Sequence, residues 1–287
     1  MAAEPAVDLQ AAASEVDRAL ETWRQGDCVL GEHWFAFRLH RMTPLTEAAE
    51  AAASEGADLA EEQVPGLVVL TQTCDIVRSC RDRPFIEVCP LAKVPEDNLR
   101  EIQRGRRPAY GLLPLLADQC LVADLDRTMT VEKAVVATWE RTPGWSTDAE
   151  ARAFAAALAR KRARFAFPDA FTALVKKLQG RLTEKHDKAS PEGDALRRLR
   201  EIRVHAWPSW EDTQVKLTFF FVKQEDDTTE GAALANHVDA WLKLVPKGGP
   251  FVNVSGYVTT LEDMTAAEYV GSDLLDLDYL STRAGSP

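Results

Sequence analysis

The segment GLVVLTQTCDIVR, residues 66 to 78, carries the residues best suited to chemistry. An apolar, β-branched run drives into Gln72, Thr73, Cys74 and Asp75, with Arg78 just beyond. A thiol beside a carboxylate offers a nucleophile and a group to orient its partner. The two do not activate each other, because a neighbouring negative charge raises a thiol pKa and disfavours the nucleophilic thiolate. Catalysis by Cys74 and Asp75 therefore requires a base from elsewhere in the fold, and His33, His40 and His186 are the candidates. The alternative is a buried cysteine at the end of a strand, with Asp75 accepting hydrogen bonds from turn amides. A third use needs no catalysis: a dense polar cluster at a strand end is a common place to bind another molecule.

A second set of residues suits anion binding. Cations dominate from Arg160 to Arg203, including Arg162 and Arg164 in KRARF and Lys185 in GRLTEKHDK. Along a helix face such residues can contact phosphates, and the guanidinium fork suits bidentate pairing. They are equally the ordinary solvated face of helices, or partners for the chain's own acids. Arg106 and Arg107 in GRRP form either an anion-binding corner or a plain surface turn. Trp207 and Trp210 in WPSW are expected to pack a hairpin, with base stacking as the alternative.

The five cysteines are odd in number and scattered, and their spacings match no zinc knuckle. A site composed of Cys28, Cys74 and Cys89 is the one metal arrangement that strands could assemble, and no metal is expected. No Walker loop, dinucleotide fingerprint, HExxH pair or nucleophile elbow occurs, so no cofactor is expected either.

The net charge of −11 and pI near 5.1 argue against a general polyanion binder. The charge is bipolar, because acids concentrate at Glu47 to Glu62, Glu225 to Asp227 and Asp273 to Asp278. The acidic end suggests a contact with a partner protein, and the basic stretch 160–203 a contact with nucleic acid. No apolar run is long enough to cross a bilayer, and no basic start leads into an apolar stretch and cleavage site. A reduced, cytoplasmic location is the expectation.

Several short elements must position these groups. Residues 8 to 24 have helical periodicity, and GDCVLGEHWFAFRLH reads as one or two strands. The Ala/Glu-rich stretch 43 to 63 reads as an excursion between strands, helical or without structure. Strands are expected at 66–73, 84–91, 120–124 and 130–139, with prolines near their ends. Such crowding suggests a small twisted barrel or a strongly bent sheet. Thr147 and Glu150 form a capping box for a helix ending near Arg164; a second helix follows Pro168, and Ser190-Pro191 opens a third, through Leu199. From Glu201 the rhythm is strand, turn, strand, helix, strand, a β-β-α-β unit. Thr265 and Glu268 make another capping box, and the tail is expected to dock through Leu275, Leu277 and Tyr279.

The order RQGDCV, GLVVLTQTCDI, PFIEVCPL, then CLVADLDRTMTVEKAVV and a helix resembles that of the MazF/PemK family of toxins, over roughly residues 24 to 165. The resemblance implies an SH3-like β-barrel of the kind that cleaves single-stranded RNA. The family's Arg-Pro before the Val-rich strand is replaced by Val64-Pro65-Gly66, and the Ser or Thr expected after the apolar-Pro step by Leu91-Ala92. Neither catalytic position is retained, so the resemblance implies the scaffold without the ribonuclease.

The expected architecture is α+β: an SH3-like barrel domain over 1–145 with the acidic insertion 43–63, a basic helical connector over 146–200, and a small α/β domain over 201–287. The expected function is a non-catalytic binding or regulatory component of a bacterial toxin–antitoxin or antiviral defence system. The alternative is an enzyme, either a diverged RNA-cleaving barrel or a cysteine-dependent hydrolase using Cys74.

Overall fold

A computed structural model describes residues 9–103, 107–163, 165–186, 188–224, 227 and 231–275. The chain is α+β and divides into two compact units, Met1–Arg162 and Ala163–Pro287.

In the first unit the elements run α1 (Leu9–Leu20), β1 (Cys28–Arg38), α2 (Glu47–Ser54), β2 (Leu59–Val69), α3 (Thr73–Ile76), β3 (Phe85–Lys93), α4 (Glu96–Gln103), β4 (Tyr110–Gly111), a 3-10 turn (Pro114–Gln119), β5 (Leu121–Asp124), β6 (Met129–Glu132), α5 (Lys133–Val136) and α6 (Asp148–Arg162). All strand pairs are antiparallel, in the order β1-β2-β3-β5-β4, with β6 also on β3. The apolar run before Gln72 is continuous because this sheet is buried on both faces. Leu67 and Val69 enter a core with Leu20, Trp23, Ile76 and Ile86, whereas Val68 and Leu70 enter another with Cys28, Cys89, Phe154 and Leu158. Pro65, which has no N–H to donate, sits opposite a register shift between Leu30 and His33.

The expected closed barrel is not found among the described residues. The terminal strands β1 and β4 do not pair with each other; β4 spans two residues, and the head of β1 is bridged to Thr142 instead. The excursion is also shorter than 43–63. Its start forms α2, but Leu59–Gln63 already belongs to β2, where Ala60 and Val64 point into the core between exposed acids and amides. Two acids and a glutamine masked that alternation. The strand expected over 130–139 stops at Glu132 and turns into α5.

In the second unit α7 (Asp169–His186), α8 (Pro191–Arg197), β7 (Leu199–Trp207), β8 (Val215–Lys223), α9 (Gly231–Leu242), β9 (Phe251–Thr259), α10 (Ala266–Val270) and β10 (Asp273–Leu274) follow one another. The β-β-α-β unit is present: β7 and β8 are antiparallel, α9 crosses over, and β9 returns parallel to β8. The sheet order is β10-β7-β8-β9. Phe171, Val175, Leu178 and Leu182 of α7 and Leu196 of α8 share a core with Val204, Phe219, Val238 and Trp241. The stretch 146–200 is accordingly divided: α6 seals the first unit's core through Phe154 and Leu158, while α7 and α8 complete the second's.

Leu275 is buried and donates its amide to the Ile202 carbonyl, which docks the start of the acidic end against β7. Leu277 and Tyr279 lie outside the described residues. Among the described residues no helix is long and apolar enough to cross a membrane.

Candidate functional site

Leu70 is the last sealed residue of its run, and its amide donates to the Glu87 carbonyl (2.8 Å). The Glu87 amide answers by donating to Thr71 Oγ1 (2.7 Å). Beyond this clasp the chain turns into the single turn of α3, whose Asp75 and Ile76 amides both donate to the Gln72 carbonyl. Ile76 plugs the core, so the turn is anchored on one side while Gln72, Thr73 and Cys74 stand exposed on the other. The buried-cysteine alternative fails for Cys74: its thiol is at the surface.

Two further elements hold the turn. Gln25 donates its side-chain amide to the Leu70 carbonyl (2.7 Å) and its backbone N–H to Thr73 Oγ1 (3.1 Å). Gln25 is itself set by Gly26, whose φ of +90° favours glycine, and by Trp145, whose indole donates to the Gln25 carbonyl (2.8 Å). Next to it, Asp27 is buried and accepts from the Arg24 amide and the Arg141 guanidinium, both at 2.8 Å. Burial nevertheless pushes the Asp27 carboxyl above its ordinary range.

From below, Lys133 supports the turn. Its side chain is 1% exposed, and Nζ donates to the carbonyls of Asp75 (2.9 Å) and Arg78 (2.5 Å) at the C-terminal end of α3. A cation suits this place because the last carbonyls of a helical turn point outward unpaired. Burial pulls the Lys133 pKa down, opposed by the charges of Asp17, Cys80 and Asp75. Asp17 accepts the Cys80 amide at 2.7 Å. Burial pushes the Asp17 carboxyl up, but hydrogen bonds from Cys80 and Ser79 and the Lys133 charge together hold it below the usual range. Burial, then Asp17, raises the Cys80 thiol.

The remaining candidates distribute as follows. Asp75 is half-buried and meets Arg78 at 3.5 Å. Arg162 pairs with Glu87 at 2.9 Å, which ties it to the strand end through the same residue that clasps Leu70. Lys185 lies in the second unit and pairs with Glu184 at 2.9 Å. Arg107 is half-buried, with its Nε lacking a hydrogen-bond partner. Arg106 and Arg164 lie outside the described residues. The basic helices are largely engaged with their own acids and carbonyls: Arg181 grips Glu192 with two hydrogen bonds, Lys188 meets Glu184, and Arg197 meets Asp194 and the carbonyls of His186 and Lys188.

Lys133, Gln25 and Asp17 escaped the sequence reading, because each reaches the turn across long separations. Arg81 and Arg83 were the more visible omission: both are exposed in the RSCRDR segment that continues from Arg78.

No base is hydrogen-bonded to Cys74 among the described residues. Among the described residues its one hydrogen-bond partner is Gln72 Oε1, at 3.7 Å. His33 packs edge-on against Trp139. Nor do Cys28, Cys74 and Cys89 assemble a metal site. Cys28 and Cys89 are sealed in the core, where burial pushes the Cys28 thiol up to about 12 and Cys89 higher still, while Cys74 faces solvent. No known protein family, curated protein or solved structure matches the chain.

Proposed function

We propose that the chain is a non-catalytic binding component, and that its first unit docks a partner protein through the segment from Gln72 to Arg83. The observation that carries this reading is an exposed polar turn rigidly held from beneath, whose thiol has an amide oxygen rather than a base for company. Preorganisation favours binding by reducing the ordering that association requires. The surroundings suit a protein surface. Val77 and Phe85 are exposed at 49% and 58%, and Arg78, Arg81 and Arg83, with Asp82 among them, are exposed in the chain between the two. Exposed apolar side chains together with arginines are the usual composition of a protein contact.

On this reading the SH3-like resemblance describes a bent-sheet scaffold of the toxin–antitoxin or defence type that serves recognition, and the missing catalytic positions are consistent with that. The test has two arms. The full chain, incubated with single-stranded RNA, is expected to leave it intact. A photoreactive group on Cys74 is expected to cross-link one cellular protein, and Arg78→Glu with Arg81→Glu to abolish the cross-link without changing the far-ultraviolet circular dichroism. RNA cleavage that disappears in Cys74→Ser, or a cross-link indifferent to the arginines, would overturn the proposal.

A further inference from the structure

The second sheet has a face that α7, α8 and α9 do not cover. Strand register arranges its outward side chains in rows across β7, β8 and β9: Trp207, Lys216 and Asn253; then His205, Thr218 and Ser255; then Arg203, Phe220 and Tyr257. The third row is partly closed. Met264 and Leu261 pack on Phe220, Arg203 lies over the Tyr269 ring and bonds Ser272, and the Tyr257 hydroxyl donates to Glu268 at 3.2 Å. The first two rows are open. Trp207, in the first row, is 56% exposed, with Lys216 Nζ 5.0 Å from its ring centroid, while Tyr257, at the edge of the third row, meets the Phe220 ring edge-on at 5.3 Å and keeps 46% of its surface exposed.

The exposure of the Trp207 ring is poorly explained by packing. Trp210, three residues on, shows the contrast: it is enclosed by Phe167 and Phe171 and donates to Asp273 at 2.8 Å. Between the two exposed rings the surface offers hydroxyl and amide groups that can donate and accept. Its only titratable groups in the open rows are Lys216 and His205. The acids around them are Glu211 and Asp212 in the preceding turn, Glu201, which faces Arg203, and Glu268, which caps Thr265, accepts from the Tyr257 hydroxyl and lies within reach of the His205 charge. Two strand spacings across and four residues along separate Trp207 from Tyr257 by roughly 16 Å. No single nucleobase spans that distance.

We propose that this sheet face binds single-stranded nucleic acid, with bases stacked on Trp207 and on the exposed side of Tyr257 and phosphate met by Lys216. Asn253, Thr218 and Ser255 supply hydrogen bonds to base edges. Exposed aromatic rings interleaved with polar groups on a sheet are a general means of holding unpaired bases, and they discriminate against a duplex, whose base faces are already stacked. In the open rows Lys216 and His205 stand among hydroxyl and amide groups, which match a phosphate backbone better than an apolar peptide, and Glu268 is held at the edge by Tyr257 and Thr265. The inference concerns a different surface from the Gln72–Arg83 segment and stands independently of it.

The test is fluorescence anisotropy of the full chain with labelled twelve-residue oligouridine and oligodeoxythymidine at low salt, against a duplex of equal length. Binding of the single strands, weakening as salt rises and at least tenfold tighter than the duplex, is the expected result. Trp207→Ala and Tyr257→Ala should each weaken it about tenfold, within the range for loss of one stacking partner. Trp207→Phe should restore most of it, and Trp34→Ala, at a tryptophan 58% exposed in the first unit, should leave it unchanged. The proposal is overturned by absence of single-strand binding, by equal duplex binding, or by Trp34→Ala weakening it as much as Trp207→Ala. An acidic peptide competing for Trp207 while oligonucleotides do not would overturn it in favour of a protein ligand.

Discussion

Replacing Lys133 by methionine removes the support of α3 while nearly preserving side-chain length. Two charge-assisted hydrogen bonds, to the carbonyls of Asp75 and Arg78, are lost, and Asp17 is left facing no cation there. Hydrogen bonds to charged groups contribute about 1.5–3 kcal/mol each, and relief of the lysine's own burial returns part of the sum. A net loss of about 3 kcal/mol is expected, which lowers the melting temperature of a unit this size by roughly 6–12 °C. Because the chain has two units, calorimetry should assign the shift to one transition and leave the other in place. Hydrogen exchange gives the local readout. The Asp75, Ile76 and Val77 amides, which close α3 onto Gln72 and Thr73, should lose protection first. A melting shift under 1 °C with unchanged exchange at these amides would refute the argument that Lys133 holds the turn.

Gly26→Ala is expected to destabilise the first unit by about 1–3 kcal/mol in urea unfolding, because the new Cβ meets a φ of +90° and lies 2.9 Å from Trp145 Nε1; a change below 0.5 kcal/mol would contradict it. Asp17, held below its ordinary pKa, contributes stability that is complete above about pH 4 and lost as pH falls through its folded value. Asp17→Asn should therefore lower stability at pH 7 and flatten the acid limb of the stability curve, and a parallel offset at every pH would argue otherwise. Asp27, held above its ordinary range, acts with the opposite sign, so the comparison is with the variant and not with the shape of one curve. Phe171→Ala should cost about 3–5 kcal/mol in the second unit, where its ring meets Phe167 and Trp210 at 4.8 Å, and a loss under 1 kcal/mol would show that this core is not close-packed.

Local signals translated well where a single residue decides the backbone. Both capping boxes form, at Thr147 with Glu150 and at Thr265 with Glu268, and Ser190 caps α8 through the Gly193 amide. The β-β-α-β order was readable from alternation and turn residues alone. Closure was not, since whether β1 meets a last strand depends on partners far along the chain, and Thr142 takes the place a barrel strand would fill. Glu61, Glu62 and Gln63 hid the first half of β2 because one face of that segment is solvated. Leu199 fits a helical stripe, yet it opens β7. The polar turn at Gln72 was visible from its residue types, but its exposure was decided by Ile76 filling the core behind it and by Lys133, whose role no short motif announces. For the basic helices, composition could not tell a phosphate-binding face from one satisfied by Glu87, Glu184 and Glu192.

The account rests on Cys74 standing at the surface of an intact fold. Brief alkylation of the native protein with iodoacetamide, followed by peptide mapping, measures this directly. Cys74 should be modified quickly with the melting temperature unchanged, while Cys28 and Cys89 react only after denaturation. Protection of Cys74 equal to that of Cys28, or unfolding on its modification, would contradict the account.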